Sequence, residues 1–382
     1  MSFTLHTPAE RDPIFQVAEE AKSAGPGALD ASIGVILDEE GRLLTLECVR
    51  KAAGEYAHAA EKSGFPYPPL LGVPAFRTGV TKLLYGAGDS TIASIAATGG
   101  TGALALAIKL LQKMEIRRVL LPLPSWPNHR RLLDGFGMET LSLHAREKNR
   151  IQIGDIVDGW TESHGKKCAL LLQAGCHNPT GRSWTAREWE ELAAALAGSP
   201  HVVLLDCAYQ GLGEGVEEDA APTRILRQAG VPHIVAWSAS KNHTAYGLRT
   251  GLVCAVASSE REREELEQHL MILARELHSA APTPGQHIVA AVQARYGEAW
   301  RRELASLRTA LGKKRALLQQ AFPPWSAQLE GRGLFTILPL APEAIRALRK
   351  ERVFLTDDGR MNIAGIPLGR MEEFCAKVRT VL

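Results

Sequence analysis

The chain has 382 residues, 45% of them hydrophobic and 23% charged, which is ordinary for a globular enzyme with a large core. Lys+Arg number 44 against 42 Asp+Glu, a net charge of +2 with no long basic block, and this argues against nucleic acid or an anionic membrane as partner. No run reaches the roughly 18 apolar residues of a membrane span, the first residues lack a leader pattern, and the six cysteines form no C-x-x-C pair. A cytoplasmic protein with reduced, buried thiols and no metal site is expected.

Residues 1–12 read as an arm, and Asp12-Pro13 opens a helical pattern that Gly25-Pro26-Gly27 breaks. Residues 31–37 read as a strand or an extended loop, with Gly34 at a point of close approach. A helix is expected over 45–61, after which Phe65-Pro66-Tyr67-Pro68-Pro69 forces an extended, exposed segment. From Thr91 onward the pattern alternates. Apolar runs at 92–97, 118–123, 138–143, 168–173, 202–206, 233–237 and 252–256 read as strands, mostly separated by helical patterns such as 103–114. Near-continuous apolar strands alternating with helices predict an α/β fold with a mainly parallel sheet between helices. A charged amphipathic helix is expected at 258–277 and a long one at 298–320. The remainder is shorter, with strands at 334–338 and 361–364 and helices at 342–350 and 370–381, the pattern of a small α+β domain. The expected division is a large domain over 44–307 and a small one from 13–43 with 308–382.

Several stretches carry candidate chemistry. Thr98-Gly-Gly-Thr-Gly102 stands between a strand and a helix, where Gly100 and Thr101 would offer backbone N–H groups to an anion. It lacks the Lys-Ser/Thr ending of a nucleotide loop and the spacing of a dinucleotide fingerprint, so a single phosphate fits better. Ser125-Trp126-Pro-Asn-His129 sets an indole between prolines; packing is the plain reading, stacking on a heteroaromatic ring the functional one. Cys176-His-Asn178-Pro-Thr-Gly181 is a turn by composition, with an amide that could donate to a ring oxygen. Asp206 ends an apolar strand, where a carboxylate needs a partner, and Tyr209 follows three residues on. Finally, Ser238-Ala-Ser240-Lys241 precedes Arg249 by eight residues from the lysine. An amine flanked by hydroxyls and an arginine suits a ligand bearing both a carbonyl and a phosphate.

Taken together, these motifs resemble the aspartate and aromatic amino acid aminotransferases, pyridoxal-phosphate enzymes of the aspartate aminotransferase fold (fold type I). Seven stretches stand in family order, including Tyr67-Pro-Pro-Leu-Leu-Gly-Val-Pro-Ala-Phe76, Asp206-Cys-Ala-Tyr209-Gln-Gly211, Ser240-Lys241-Asn242 and Gly359-Arg-Met-Asn362. The resemblance implies a pyridoxal 5'-phosphate cofactor held by Lys241 as a Schiff base, with the freed lysine amine later acting as general base. It implies Asp206 at the pyridine nitrogen with His129 behind it, Asn178 and Tyr209 at the ring hydroxyl oxygen, and Trp126 stacked on the ring. Gly100, Thr101, Ser238, Ser240 and Arg249 would hold the phosphate, joined by Tyr67 of a second subunit.

Among substrate contacts, the resemblance implies Arg360 for the α-carboxylate, with Gly34, Trp126 and Asn178 nearby. Arg275, supplied by the second subunit, would take a distal carboxylate, although its flanks differ from the family pattern. Leu37, Leu43, Pro66 and Ala280 stand where aspartate-specific members are expected to be polar, which favours aromatic or aliphatic substrates as well. The implied reaction moves an amino group from aspartate or aromatic amino acids to 2-oxoglutarate in two half-reactions, in a homodimer with shared sites. A lyase or decarboxylase of the same fold, or a non-enzymatic sensor of the cofactor, would share much of this machinery.

Overall fold

The seven apolar runs from residue 92 onward form one sheet in the computed structural model, which describes residues 12–86, 90–144, 152–162 and 167–382. Its strands are β1 (Ile92–Thr98), β2 (Arg118–Leu123), β3 (Glu139–His144), β4 (Ala169–Gln173), β5 (Val202–Cys207), β6 (His233–Ser238) and β7 (Thr250–Val256). They lie in the order β1-β7-β6-β5-β4-β2-β3. Strands β2 to β6 pair in parallel, whereas β7 runs antiparallel to both β1 and β6. The reversal has a local cause. The link 239–249 holds only turns and a 3-10 turn at Tyr246–Leu248, and a parallel crossover needs a dozen or more residues.

Strand side chains alternate between faces, so each run feeds two cores. Val203, Leu205 and Cys207 of β5 join Phe76, Trp189 and Leu226 on one face; Val202 and Leu204 join Leu104, Ile108 and Leu273 on the other. Helices Pro74–Tyr85, Ala186–Leu196 and Ala221–Gln228 thus cover the first face, and Gly99–Lys113 and Glu260–Leu277 the second. The helix expected at 45–61 is found at Glu47–Ser63, and the one expected at 258–277 starts at Glu260, with the Ser259 hydroxyl accepting the Glu262 N–H at 3.2 Å. All six cysteines are buried, and none is in a disulfide.

By contact density the chain divides into a larger unit, Leu44–Thr309 with Gly331–Gly333, and a smaller one, formed by the residues before 44 with Ala310–Glu330 and Leu334–Leu382. Of the arm expected over 1–12, only Asp12 lies among the described residues; its carboxylate caps helix Pro13–Ser23 by accepting the Ile14 N–H at 2.9 Å. The smaller unit contains two short strand pairs, Leu29–Asp30 with Val353–Phe354 and Phe335–Ile337 with Arg360–Asn362. Leu318, Leu348, Met361 and Phe374 are at its core. Segment 31–37 is mainly loop, and its backbone is satisfied by a side chain: Asn362 Nδ2 donates to the Ile33 and Val35 carbonyls at 2.7 and 2.6 Å. Among the described residues, no helix is long and apolar enough to cross a membrane.

Candidate active site

The larger unit gathers its candidate residues where β4, β5 and β6 end. In open α/β sheets such strand ends are the usual place for a ligand. The strand register brings further groups to the same edge. Thr98 pairs with Thr250 and Ser238 with Gly251, so the start of helix Gly99–Lys113, the end of β6 and the start of β7 are neighbours. Gly99 has φ of 69° and lies so close under Arg249 that a Cβ there would stand 2.5 Å from Nη2. A Cβ on Gly100 would stand 3.1 Å from that of Ser238. The positive φ at Gly99 favours glycine, and a side chain at Gly100 would press on Ser238. The first N–H groups of the helix, at Gly99, Gly100 and Thr101, have no intrahelical acceptor and carry the positive end of the helix dipole. With the Arg249 guanidinium and the Ser238 hydroxyl beside them, they form a cradle of donors suited to one phosphate.

Lys241 lies in the turn directly after β6, half-buried, with Nζ 4.8 Å from the centroid of the Tyr246 ring. Ser240 is buried before it, its N–H donating to the Ser238 hydroxyl at 3.2 Å. Backbone bonds from His243 to Ala239 and from Thr244 to Lys241 close the turn. Behind it, Trp300 Nε1 donates to the Asn242 carbonyl at 2.7 Å, and the Trp300 ring stacks on His243 at 4.8 Å. Burial pushes the His243 imidazole down to about 3, so it is neutral at ordinary pH.

Asp206 on β5 is 5% exposed, and its Oδ2 lies 2.9 Å from Nε2 of the fully buried His129. The other ring nitrogen, Nδ1, lies 2.8 Å from the Ser125 hydroxyl. A row Ser125–His129–Asp206 thus orients the carboxylate from behind. Trp126, between Ser125 and His129, is half-buried and meets the His129 ring edge-on, with centroids 5.2 Å apart and planes at 84°.

Next to Asp206 in register is Gln173, the last residue of β4. Its side chain holds Asn178 at both backbone ends, accepting the N–H at 3.0 Å and donating to the carbonyl at 2.9 Å. This clamp sits beside the cis Asn178-Pro179 bond. Asn178 is buried and its Nδ2 lies 3.4 Å from the hydroxyl of Tyr209, also buried. His177, pushed down to about 4 by burial and then by nearby His129, adds no positive charge here at neutral pH. The loop after Tyr209 is pinned by Asp219, whose carboxylate accepts the N–H groups of Gly211, Gly213 and Glu214. Sequence reading missed Ser125, Gln173 and Asp219. Gln173 had a readable signal, since it is a polar residue ending an apolar strand, just as Asp206 is.

The remaining candidates are elsewhere. Tyr67 of the larger unit is 99% exposed in the proline-rich segment. Arg275, exposed in the last turn of helix Glu260–Leu277, donates to the Ser279 hydroxyl at 3.0 Å. In the smaller unit Arg360 is 3% exposed, donates to the Ser32 carbonyl at 2.7 Å and lies 5.0 Å from the Phe335 ring centroid. Gly34 packs on that same ring, where a Cβ would stand 2.7 Å from Cζ.

Comparison with known proteins identifies the family. The family model described as aminotransferase class I and II matches residues 27–378. An aspartate aminotransferase of Pseudomonas aeruginosa is 29% identical over 98% of each chain. A tyrosine aminotransferase of Rhizobium meliloti is 31% identical over 93% of this chain and 94% of its own. Among solved structures, an aromatic-amino-acid aminotransferase from Burkholderia pseudomallei, covalently bound to pyridoxal phosphate, superposes with a TM-score of 0.90 at 28% identity over 100% of both chains. With the family model covering almost the whole chain and relatives matching end to end, the chain belongs to the class I and II aminotransferases and is an enzyme of that type.

Proposed function

We propose that this enzyme uses pyridoxal 5'-phosphate to move an amino group from aspartate and from aromatic amino acids to 2-oxoglutarate in two alternating half-reactions. The observation that carries the reading is the sharing of one sheet edge by a phosphate-sized donor cradle, a lysine turn and a carboxylate backed by imidazole. The residues present fit the cofactor. Arg249, Ser238, Ser240 and the N–H groups of Gly100 and Thr101 supply donors for a dianion, and the glycines leave the room it needs. When bound, the cofactor supplies a carbonyl that condenses with amines and a ring that withdraws electrons from the substrate Cα.

The chain's own residues would divide the work as follows. The Lys241 amine would hold the cofactor and, once free, carry a proton to and from Cα, acting as a neutral base. The Asp206 carboxylate, fixed by His129, would accept the ring N–H and keep that proton in place. Asn178 and Tyr209 would donate to the ring hydroxyl oxygen, and the Trp126 face would cover the ring. Arg360, already held by Ser32 and Phe335, would grip the α-carboxylate as a bidentate fork, near Gly34. We place the residues 13–43 and 308–382 in a substrate-binding small domain.

Two exposed residues support a homodimer with shared sites: Tyr67 would reach the phosphate, and Arg275 the distal carboxylate, of a second copy. The test is an absorbance titration with aspartate and, separately, phenylalanine, without keto acid. Conversion of the bound cofactor to its amine form by both substrates is expected. Response to aspartate alone would remove the aromatic half of the proposal. Product formation without any keto-acid requirement would favour a lyase or decarboxylase.

A further inference from the structure

Thr244 stands three residues after Lys241 in the same turn and has φ of 47°. A β-branched residue is seldom found in this left-handed region, because its branches crowd the backbone, whereas glycine occupies it freely. The side chain is nevertheless buried, and its hydroxyl is used twice. Oγ1 donates to the His243 carbonyl at 2.8 Å and accepts the N–H of Leu46, 198 positions away, at 2.9 Å.

Leu46 lies two residues beyond Leu44, where the larger unit begins, and it immediately precedes helix Glu47–Ser63. That helix has no side-chain cap of its own. Its first N–H groups, of Glu47 and Cys48, donate instead to the Glu303 carboxylate at 2.6 and 3.0 Å. Glu303 belongs to helix Gly297–Ala321, within which the chain leaves the larger unit after Thr309. The segment by which the chain enters the larger unit is therefore bonded both to the lysine turn and to the helix by which it leaves.

We propose that Thr244 is a positioning residue: its hydroxyl makes the Lys241 turn and the entry segment one mechanical element, so that occupancy of the lysine amine is felt at the Leu46 amide. The proposal rests on the reading of Lys241 as the cofactor lysine. A strained backbone is retained at this point because only a side-chain oxygen there satisfies the buried Leu46 N–H. Coupling of this kind acts in both directions, so disturbing the hydroxyl also disturbs the lysine.

Hydrogen exchange of the peptide spanning 44–49 tests this, with apoenzyme and enzyme loaded with pyridoxal 5'-phosphate compared for wild type, Thr244→Ser and Thr244→Val. Loading is followed separately by the absorbance band of the lysine-bound cofactor, which Lys241→Ala lacks. In wild type and Thr244→Ser, loading is expected to slow the Leu46 amide by about tenfold or more. Thr244→Val keeps the branch but removes the acceptor; its Leu46 amide should exchange fast in both states. Its kcat should fall about tenfold, with KM for the amino donor changing less than about twofold. Thr244→Gly, which also relieves the backbone, should show the same exchange pattern, so misfolding of the valine variant cannot hide the answer. Leu46 exchange that ignores loading in wild type, or a loading effect that survives in Thr244→Val or Thr244→Gly, overturns the proposal. Failure of the wild type to take up cofactor on Lys241 overturns the underlying reading, and the proposal with it.

Discussion

The edge of the sheet at Asp206 and the outer surface at Tyr67 and Arg275 are built on opposite terms. At the edge a chain of polar groups meets fixed neighbours inside one unit: Ser125 orients His129, His129 orients Asp206, and Gln173 clamps Asn178. Tyr67 is almost wholly exposed, and Arg275 is exposed at a helix end with a single serine contact shown. The contrast teaches which contacts the chain can complete alone. On the proposed reading, groups that would hold one cofactor in one pose are ordered in advance, while Tyr67 and Arg275, which would meet a second copy, are left exposed.

The sharpest way to break the comparison is at the ordered edge. Lys241→Ala should lower transamination by at least about 10,000-fold while leaving the circular dichroism spectrum unchanged. Wild-type rates in that variant would remove Lys241 from the mechanism.

Acidity sharpens the comparison next, because this interior buries neutral imidazoles. Burial pushes His233 down to about 4 and His243 to about 3. An imidazole whose folded value lies below the unfolded value of about 6.5 contributes stability that is full above that pH. As the pH falls toward the folded value, the unfolded chain takes up protons the folded chain refuses, and the contribution is lost. At pH 5 the loss should be on the order of 1–2 kcal/mol for each of these two residues, visible as a lower urea midpoint than at pH 7.5. Equal midpoints at the two values would mean that these imidazoles are not held neutral.

At the exposed side the effects should be smaller and selective. Arg275→Ala is expected to cut kcat/KM for aspartate by about 100-fold and to leave phenylalanine within about threefold. A uniform loss for both would make the arginine structural. Tyr67→Phe should weaken cofactor affinity by about threefold to tenfold, the worth of one hydrogen bond. An unchanged affinity would leave the phenol without a role there.

How much of this was readable depended on the kind of signal. The strand Arg118–Leu123 was legible to the residue, because its centre, buried on both faces, is an unbroken apolar run. The same uniformity hid the direction of β7, since an apolar run reads alike forwards and backwards; only the short link before it spoke for reversal. Helix Pro284–Arg295 escaped notice because alanines and a buried Gln286 blur its apolar stripe. In the site, Asp206 and Lys241 stood out as polar groups beside apolar strands. Thr244 and Glu303 did not, because their partners lie elsewhere in the chain and no local pattern announces a bond to the amides of Leu46 or Cys48.

The reversal of β7 also has a consequence for how this protein can diversify. Lys241 and Arg249 ride on the single short link between β6 and β7, so one insertion there would displace the proposed cofactor lysine and the proposed phosphate-binding arginine together. An insertion library should therefore find 239–249 among the least permissive of the links between strands, and the lineage's changes of diet would be written elsewhere.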